Sequence, residues 1–335
     1  MQTTDTQIQY TWEQDAFDNA GEYSTAITVA NGIHQFAAIW NPVSQTGYLG
    51  RWSPSTNKWL NLGGDFKNPI NQMCTDNKGN VYLVGDRSGT GGDYVVKIYN
   101  SSSSSWTETG NNFKTPLSNI CCDAYGNVFV AGGGENIQRF TLAFNTWVAL
   151  TGKSFTDQIS DMCISSNNTL FVLSSTLEGK YSVSYYDTQS TPGTAWNAID
   201  LSSYGEVDVI TCDGYGNLYF NTTSTIYVYN PTSNSFTDLK GSVPSYGDGV
   251  YDFFLTYIDN TLYFAGYGYT SEVTTSAFVK VYSYAVWTDI TPPQFPVVKP
   301  PFVTVNDITS YEGKSNNILV ASNQNYLLDG KKLNK

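Results

Sequence analysis

The chain has 335 residues, of which 40% are hydrophobic, 15% aromatic and only 14% charged, with a net charge of −12. Typical domains carry about 25% charged residues, and helices rely on Ala, Leu, Glu and Lys on their exposed faces, so this composition favours strands and turns. Three arginines, Arg51, Arg87 and Arg139, leave too little positive surface to neutralise a phosphate backbone or an anionic bilayer, which argues against nucleic-acid and membrane partners.

In chain order, Met1 to Gln7 carries neither a basic n-region nor an apolar h-region, and no later run reaches transmembrane length. The expectation is a protein without a signal peptide or membrane span, intracellular or else exported or virion-associated by an unconventional route. Strands are expected at Gln7 to Trp12, Ser24 to Val29 and Gln35 to Trp40. The second unit is clearer: a strand at Ile70 to Thr75, the turn Asp76-Asn-Lys-Gly-Asn80, a strand at Asn80 to Val84, a third at Tyr94 to Tyr99 and a fourth around Trp106. Gly79 supplies the positive φ of that turn.

The unit then recurs. Turn anchors Gly32, Gly79, Gly126, Asn168, Gly216, Asn260 and Asn316 are spaced by 47, 47, 42, 48, 44 and 56 residues. An independent aromatic anchor, Trp12, Trp59, Trp106, Trp147, Trp196, Phe236 and Trp287, is spaced by 47, 47, 41, 49, 40 and 51. Both count seven copies at the length of a four-stranded propeller blade. Residues 292–301 hold five prolines and read as an extended connector before the last copy. That copy lacks a fourth strand while the N-terminus has one to spare. The expected fold is therefore all-β: one domain over 1–335, a seven-bladed β-propeller with four-stranded blades, the N-terminal strand closing the last blade and removing two sheet edges. Residues 329–335 are expected to fray.

Four of the five cysteines (Cys74, Cys121, Cys163, Cys212) fall at related places in the repeat, so they read as buried free thiols and not as a disulfide framework. The recurrent tryptophans read as packing residues for the same reason.

The third and fourth strands place an aromatic seven residues before the terminal one, as in Trp52…Trp59, Tyr99…Trp106, Phe140…Trp147 and Tyr229…Phe236, and Ala131-Gly-Gly-Gly follows one second strand. This resembles the kelch repeat, in which a Gly pair ends one strand and an aromatic pair packs the outer blade. The spacing departs to ten residues for Tyr186…Trp196 and five for Tyr282…Trp287. The resemblance implies a propeller that contacts proteins, with enzymes and lectins a minority.

Little in the chain is catalytic. His34 is the only histidine and lies in an expected strand, which argues against a multi-histidine metal site or a histidine base. No nucleophile elbow, phosphate loop or EF-hand loop occurs. Polar residues at the starts of the first strands, among them Asn71, Asp161, Asp208 and Asp252, are placed to ring a channel mouth, where no cofactor is expected but converging oxygens could hold Ca²⁺. Arg87 and Asp93 interrupt the pattern in the loop of the second unit. Tyr246, Tyr267 and Tyr269 fall in Gly-rich loops of the sixth, the composition of adaptable recognition surfaces.

The expectation is a non-catalytic propeller that docks a protein partner or joins an assembly through the face with the longer loops of units two, four and six. The alternatives are a lectin-type propeller binding glycans and a glycoside-active enzyme using Asp208 and Asp252.

Overall fold

The computed structural model describes residues 10–332 apart from 17–21, 31–33, 57, 88–92, 110–112, 133–136, 142–144, 154, 156–157, 177, 190–195, 241–251, 259–260, 272–273, 284, 292–304, 311–316 and 323–325; within that range the side chains of 10–16, 252, 258, 267–277 and 305–332 are not described. Tyr246 and the proline-rich connector thus lie outside the described residues.

Strand β1 is Tyr10–Ala16. Blade 1 comprises β2 (Tyr23–Ala30), β3 (His34–Asn41), β4 (Thr46–Ser53) and β5 (Lys58–Asn61), and blade 2 comprises β6 (Gln72–Thr75), β7 (Val81–Val84), β8 (Lys97–Asn100) and β9 (Ser105–Glu108). Blade 3 is β10 (Asn119–Cys122), β11 (Asn127–Ala131), β12 (Gln138–Thr141) and β13 (Thr146–Ala149); blade 4 is β14 (Gln158–Ile164), β15 (Thr169–Ser175), β16 (Tyr181–Asp187) and β17 (Asn197–Asp200). Blade 5 is β18 (Ile210–Cys212), β19 (Leu218–Asn221), β20 (Ile226–Asn230) and β21 (Ser235–Asp238); blade 6 is β22 (Asp252–Ile258), β23 (Thr261–Ser271), β24 (Thr274–Ser283) and β25 (Val286–Asp289). The last strands are β26 (Val305–Ser310), β27 (Asn317–Ser322) and β28 (Tyr326–Lys332).

Every pairing is antiparallel between sequence neighbours within a blade, and the remaining sheet runs β1-β28-β27-β26. The repeat count needs one correction. Two anchors count seven copies, whereas six blades are complete continuous units and the other four-stranded sheet is assembled from both ends of the chain. The reason is physical: a blade left with three strands would expose an open edge, which β1 covers. Its partner β28 extends through Lys332, so Asp329 to Lys332 pair with β1 instead of fraying. Starting from β2, the innermost strands β6, β10, β14, β18, β22 and β26 follow one another around the axis, and β26 lies back against β2.

The second strands read as unbroken apolar runs because both of their faces are covered. All four residues of β7 are buried. Val81 and Leu83 pack into the cluster shared with blade 1, and Tyr82 and Val84 into the one shared with blade 3. Each such aliphatic residue contributes about 1.5–3 kcal/mol by leaving water. The cores of this fold therefore lie between blades.

Glycine after the second strand has a steric cause. A Cβ at Gly85 would stand 2.6 Å from the Asn71 nitrogen, and one at Gly132 would stand 2.1 Å from the Pro116 oxygen. The segments that enter blades 2 and 3 cross there.

On the outer strands the repeated aromatics form latches. Trp106, Trp196 and Trp287 donate their indole N–H to the carbonyls of Leu62, Thr151 and Leu239 in the segment leaving the preceding blade. Trp106, Trp147 and Trp196 also meet Phe66, Phe113 and Phe155 edge-on. The aromatic pair survives where its sequence spacing departs: Tyr186 lies 5.2 Å from Trp196 and Tyr282 lies 5.0 Å from Trp287. The intervening loop changes length while the packing is kept.

One expectation about the thiols is overturned, because Cys74 and Cys122 form a disulfide with Cα atoms 6.2 Å apart. They are 48 residues apart in sequence, but they sit on the innermost strands of adjacent blades and face one another. Cys121, Cys163 and Cys212 are free. His34 lies at the start of β3 and is exposed.

Candidate binding surfaces of the propeller

At one end of the innermost strands, the turns into the second strands of blades 2, 3 and 5 are fixed in the same way. Asp213 Oδ1 accepts the backbone N–H groups of Tyr215 (2.9 Å) and Asn217 (2.8 Å), while Oδ2 accepts Asn217 Nδ2 (2.7 Å) and the Tyr219 hydroxyl (3.2 Å). Asp76 binds Lys78, Asn80 and Tyr82 in the same way. Asp123 binds Tyr125 and Asn127, with Thr188 in place of the tyrosine. All three carboxylates are buried. This geometry explains the Asp-x-x-Gly-Asn sequence: the aspartate replaces a backbone acceptor for the turn amides two and four residues on, and glycine takes the positive φ. Gly79, Gly126 and Gly216 have φ of 80°, 82° and 85°.

The turns also grip one another. Asn77 Nδ2 donates to the Ala124 carbonyl at 2.9 Å, and Asn167 Nδ2 donates to the Tyr215 carbonyl at 3.4 Å. Immediately before the positive-φ residue of each turn (Gly79, Gly126, Asn168 and Gly216) stand Lys78, Tyr125, Asn167 and Tyr215, all exposed. Tyr125 and Tyr215 are 65% and 79% exposed. Two large aromatic side chains are thus held out on a backbone with little freedom to move.

The residues singled out in the sequence mostly belong to the opposite end and are largely engaged. Asn71 is exposed, and its Nδ2 donates to the Leu117 carbonyl at 2.9 Å. Asp208 Oδ2 accepts Asn221 Nδ2 at 2.9 Å. Arg87 is exposed with its guanidinium 5.7 Å from the Tyr94 ring centre, and Asp93 accepts Lys114 Nζ at 2.5 Å. Tyr267 and Tyr269, expected in loops, lie on β23, where Tyr267 is opposite Asp252 and Tyr269 opposite Thr275. An extended hairpin absorbs what read as a glycine-rich loop, because Gly alternating with Tyr pairs as a strand once a partner segment is present.

Asp161 is a brace between blades. It follows a β-bulge in β14. Its Oδ1 accepts the Met162 N–H at 2.8 Å, and its Oδ2 accepts the Ile210 N–H of blade 5 at 2.9 Å. Gln72, at the matching position of blade 2, accepts the Ile120 N–H of blade 3 at 2.6 Å. Asp161 keeps some contact with solvent but is surrounded by protein. Burial pushes its carboxyl up to about 7, against the two backbone donors that pull it down.

Among the described residues, no three of His, Cys, Asp and Glu gather as metal ligands would. Nor does any helix among them have the length and apolarity to cross a membrane.

Neither Tyr125 nor Tyr215 stands out in the sequence as a site residue. Their signal was present: they vary at a fixed turn position just before a positive-φ glycine, where a side chain must point into solvent.

Four-stranded sheets arranged radially about an axis define a β-propeller. No protein-family model and no curated protein matches the chain. Solved structures share the fold. The virginiamycin B lyase of Staphylococcus aureus is similar with a TM-score of 0.69 at 12% identity, over 97% of this chain and 100% of that one. The Raptor protein of Chaetomium thermophilum is similar with a TM-score of 0.67 at 14% identity, over 98% of this chain and 29% of that one. YCF48 bound to a D1 peptide gives 0.65 at 13% identity, over 98% and 100%. At these identities the likeness is one of fold.

Proposed function

We infer that this chain is a non-catalytic binding propeller that docks a protein partner through the clasped turns of blades 2, 3 and 5. The observation that carries the reading is the pair Tyr125 and Tyr215, exposed on turns whose backbone is held by buried aspartates. An aromatic ring on a rigid backbone loses little entropy on binding and is a favoured anchor in protein interfaces. A net charge of −12 favours a partner with a basic surface, through faster encounter. The peptide-bound YCF48 structure offers an analogy at the level of fold.

The test is co-purification from the native source with wild-type chain and with a Tyr125→Ser/Tyr215→Ser double variant of equal stability. Loss of a specific co-purifying protein in the variant supports the reading. Retention of that protein refutes it, as does saturable, sugar-competed binding on a glycan array with no protein partner.

A further inference from the structure

The innermost strands of blades 2 to 5 present two successive residues to their neighbours. The first is paired across the sheet with a large aromatic: Cys74 with Tyr82, Cys121 with Phe129, Cys163 with Phe171 and Thr211 with Tyr219. The second is paired with the aliphatic residue before that aromatic: Cys122 with Val128, Ile164 with Leu170 and Cys212 with Leu218. Register therefore makes Cys74 equivalent to Cys163, and Cys122 equivalent to Cys212. Packing says the same. Cys74 and Cys122 meet in the cluster between blades 2 and 3, and Cys163 and Cys212 meet in the cluster between blades 4 and 5.

The slot between blades 2 and 3 is closed by a disulfide. Between blades 3 and 4 the matching residues are Cys121 and Ile164, which cannot bond. Between blades 4 and 5 both are cysteines, and the Cys163 and Cys212 thiols are hydrogen-bonded to each other. Both are partly exposed, whereas Cys121 is buried.

We propose that Cys163 and Cys212 are a second inter-blade dithiol that a small disulfide oxidant converts into a disulfide, locking blade 4 to blade 5. One protein thiolate attacks a sulfur of the oxidant, breaking its S–S bond and releasing one thiol. The other protein thiolate then attacks the protein-bound sulfur of the mixed disulfide and releases the second. Two protein thiols lose two electrons, the oxidant gains them, and the two protons pass to the released thiolates. Burial, and then the bond to Cys212, hold the Cys163 thiol well above the usual range, so the exchange is slow.

The experiment uses the full chain incubated with oxidised glutathione, then quenched with acid, alkylated under denaturing non-reducing conditions and digested with trypsin. Cleavage at Lys153, Lys180 and Lys240 puts Cys163 and Cys212 on separate peptides, 154–180 and 181–240. The expected result is a linked pair of these peptides, with Cys121 alone still alkylated and the link absent in Cys163→Ser and Cys212→Ser. Finding the link before oxidant is added also supports the pairing. Full alkylation of both after prolonged oxidation, stable glutathione adducts on both, or linkage through Cys121 overturns it.

Discussion

Replacing Asp213 with alanine isolates what a single turn clasp contributes. The carboxylate is buried and accepts four donors. Two of these, the Tyr215 and Asn217 amides, lie on the turn and can partly recover water. The other two, Asn217 Nδ2 and the buried Tyr219 hydroxyl, point inward; Asn217 Nδ2 loses its acceptor, while the Tyr219 hydroxyl keeps Tyr257 as a partner. An orphaned inward donor costs about 1–3 kcal/mol, and a hydrogen bond exchanged for water costs about 0.5–1.5 kcal/mol. With one orphaned donor and three exchanged bonds the expected loss is roughly 3–7 kcal/mol. Asp213→Asn keeps one acceptor oxygen for the amides but turns an NH₂ toward Asn217 Nδ2, so about half that loss is expected. Tyr219→Phe removes one inward donor and should cost about 1 kcal/mol. Urea unfolding followed by tryptophan fluorescence measures all three from midpoints at constant slope. A loss under about 0.5 kcal/mol for Asp213→Ala would refute the clasp as a stabilising element.

Asp161 makes stability depend on pH. Its folded-state value of about 7 lies above the unfolded one near 3.9, so between the two the folded chain keeps a proton that the unfolded chain has released. Its contribution is greatest below pH 4, falls by a few kcal/mol on the way to pH 7 and is constant above. Asp161→Gln, copying Gln72, should flatten that segment of a stability-pH profile; an unchanged slope would count against it. Cys74→Ser/Cys122→Ser should cost about 4 kcal/mol from the 48-residue loop, read as a lower urea midpoint. Gly132→Ala forces a Cβ within 2.1 Å of the Pro116 carbonyl; it should lose about 1–3 kcal/mol or more, and a neutral result in thermal melting would show that the crossing segment yields.

Repetition made the fold legible from sequence alone. Turn glycines, apolar second strands and terminal aromatics recur because every blade solves the same problem, covering both faces of a narrow sheet, and that demand is local to about 47 residues. For the same reason the sequence could say that the tryptophans pack. It could not say how blades join, because joining pairs residues almost 50 positions apart. The Cys74–Cys122 bond and the reach of Asp161 to Ile210 depend on which side chains adjacent inner strands turn toward each other. Residues that looked free at one end of the channel, such as Asp208, proved tied to neighbours, while Tyr125 and Tyr215 became conspicuous only once burial separated them from the packing aromatics. The sequence by itself determined the blade, through period and turn chemistry; tertiary structure alone decided which polar and aromatic side chains remain available to a partner, since availability is what is left after neighbouring blades have met.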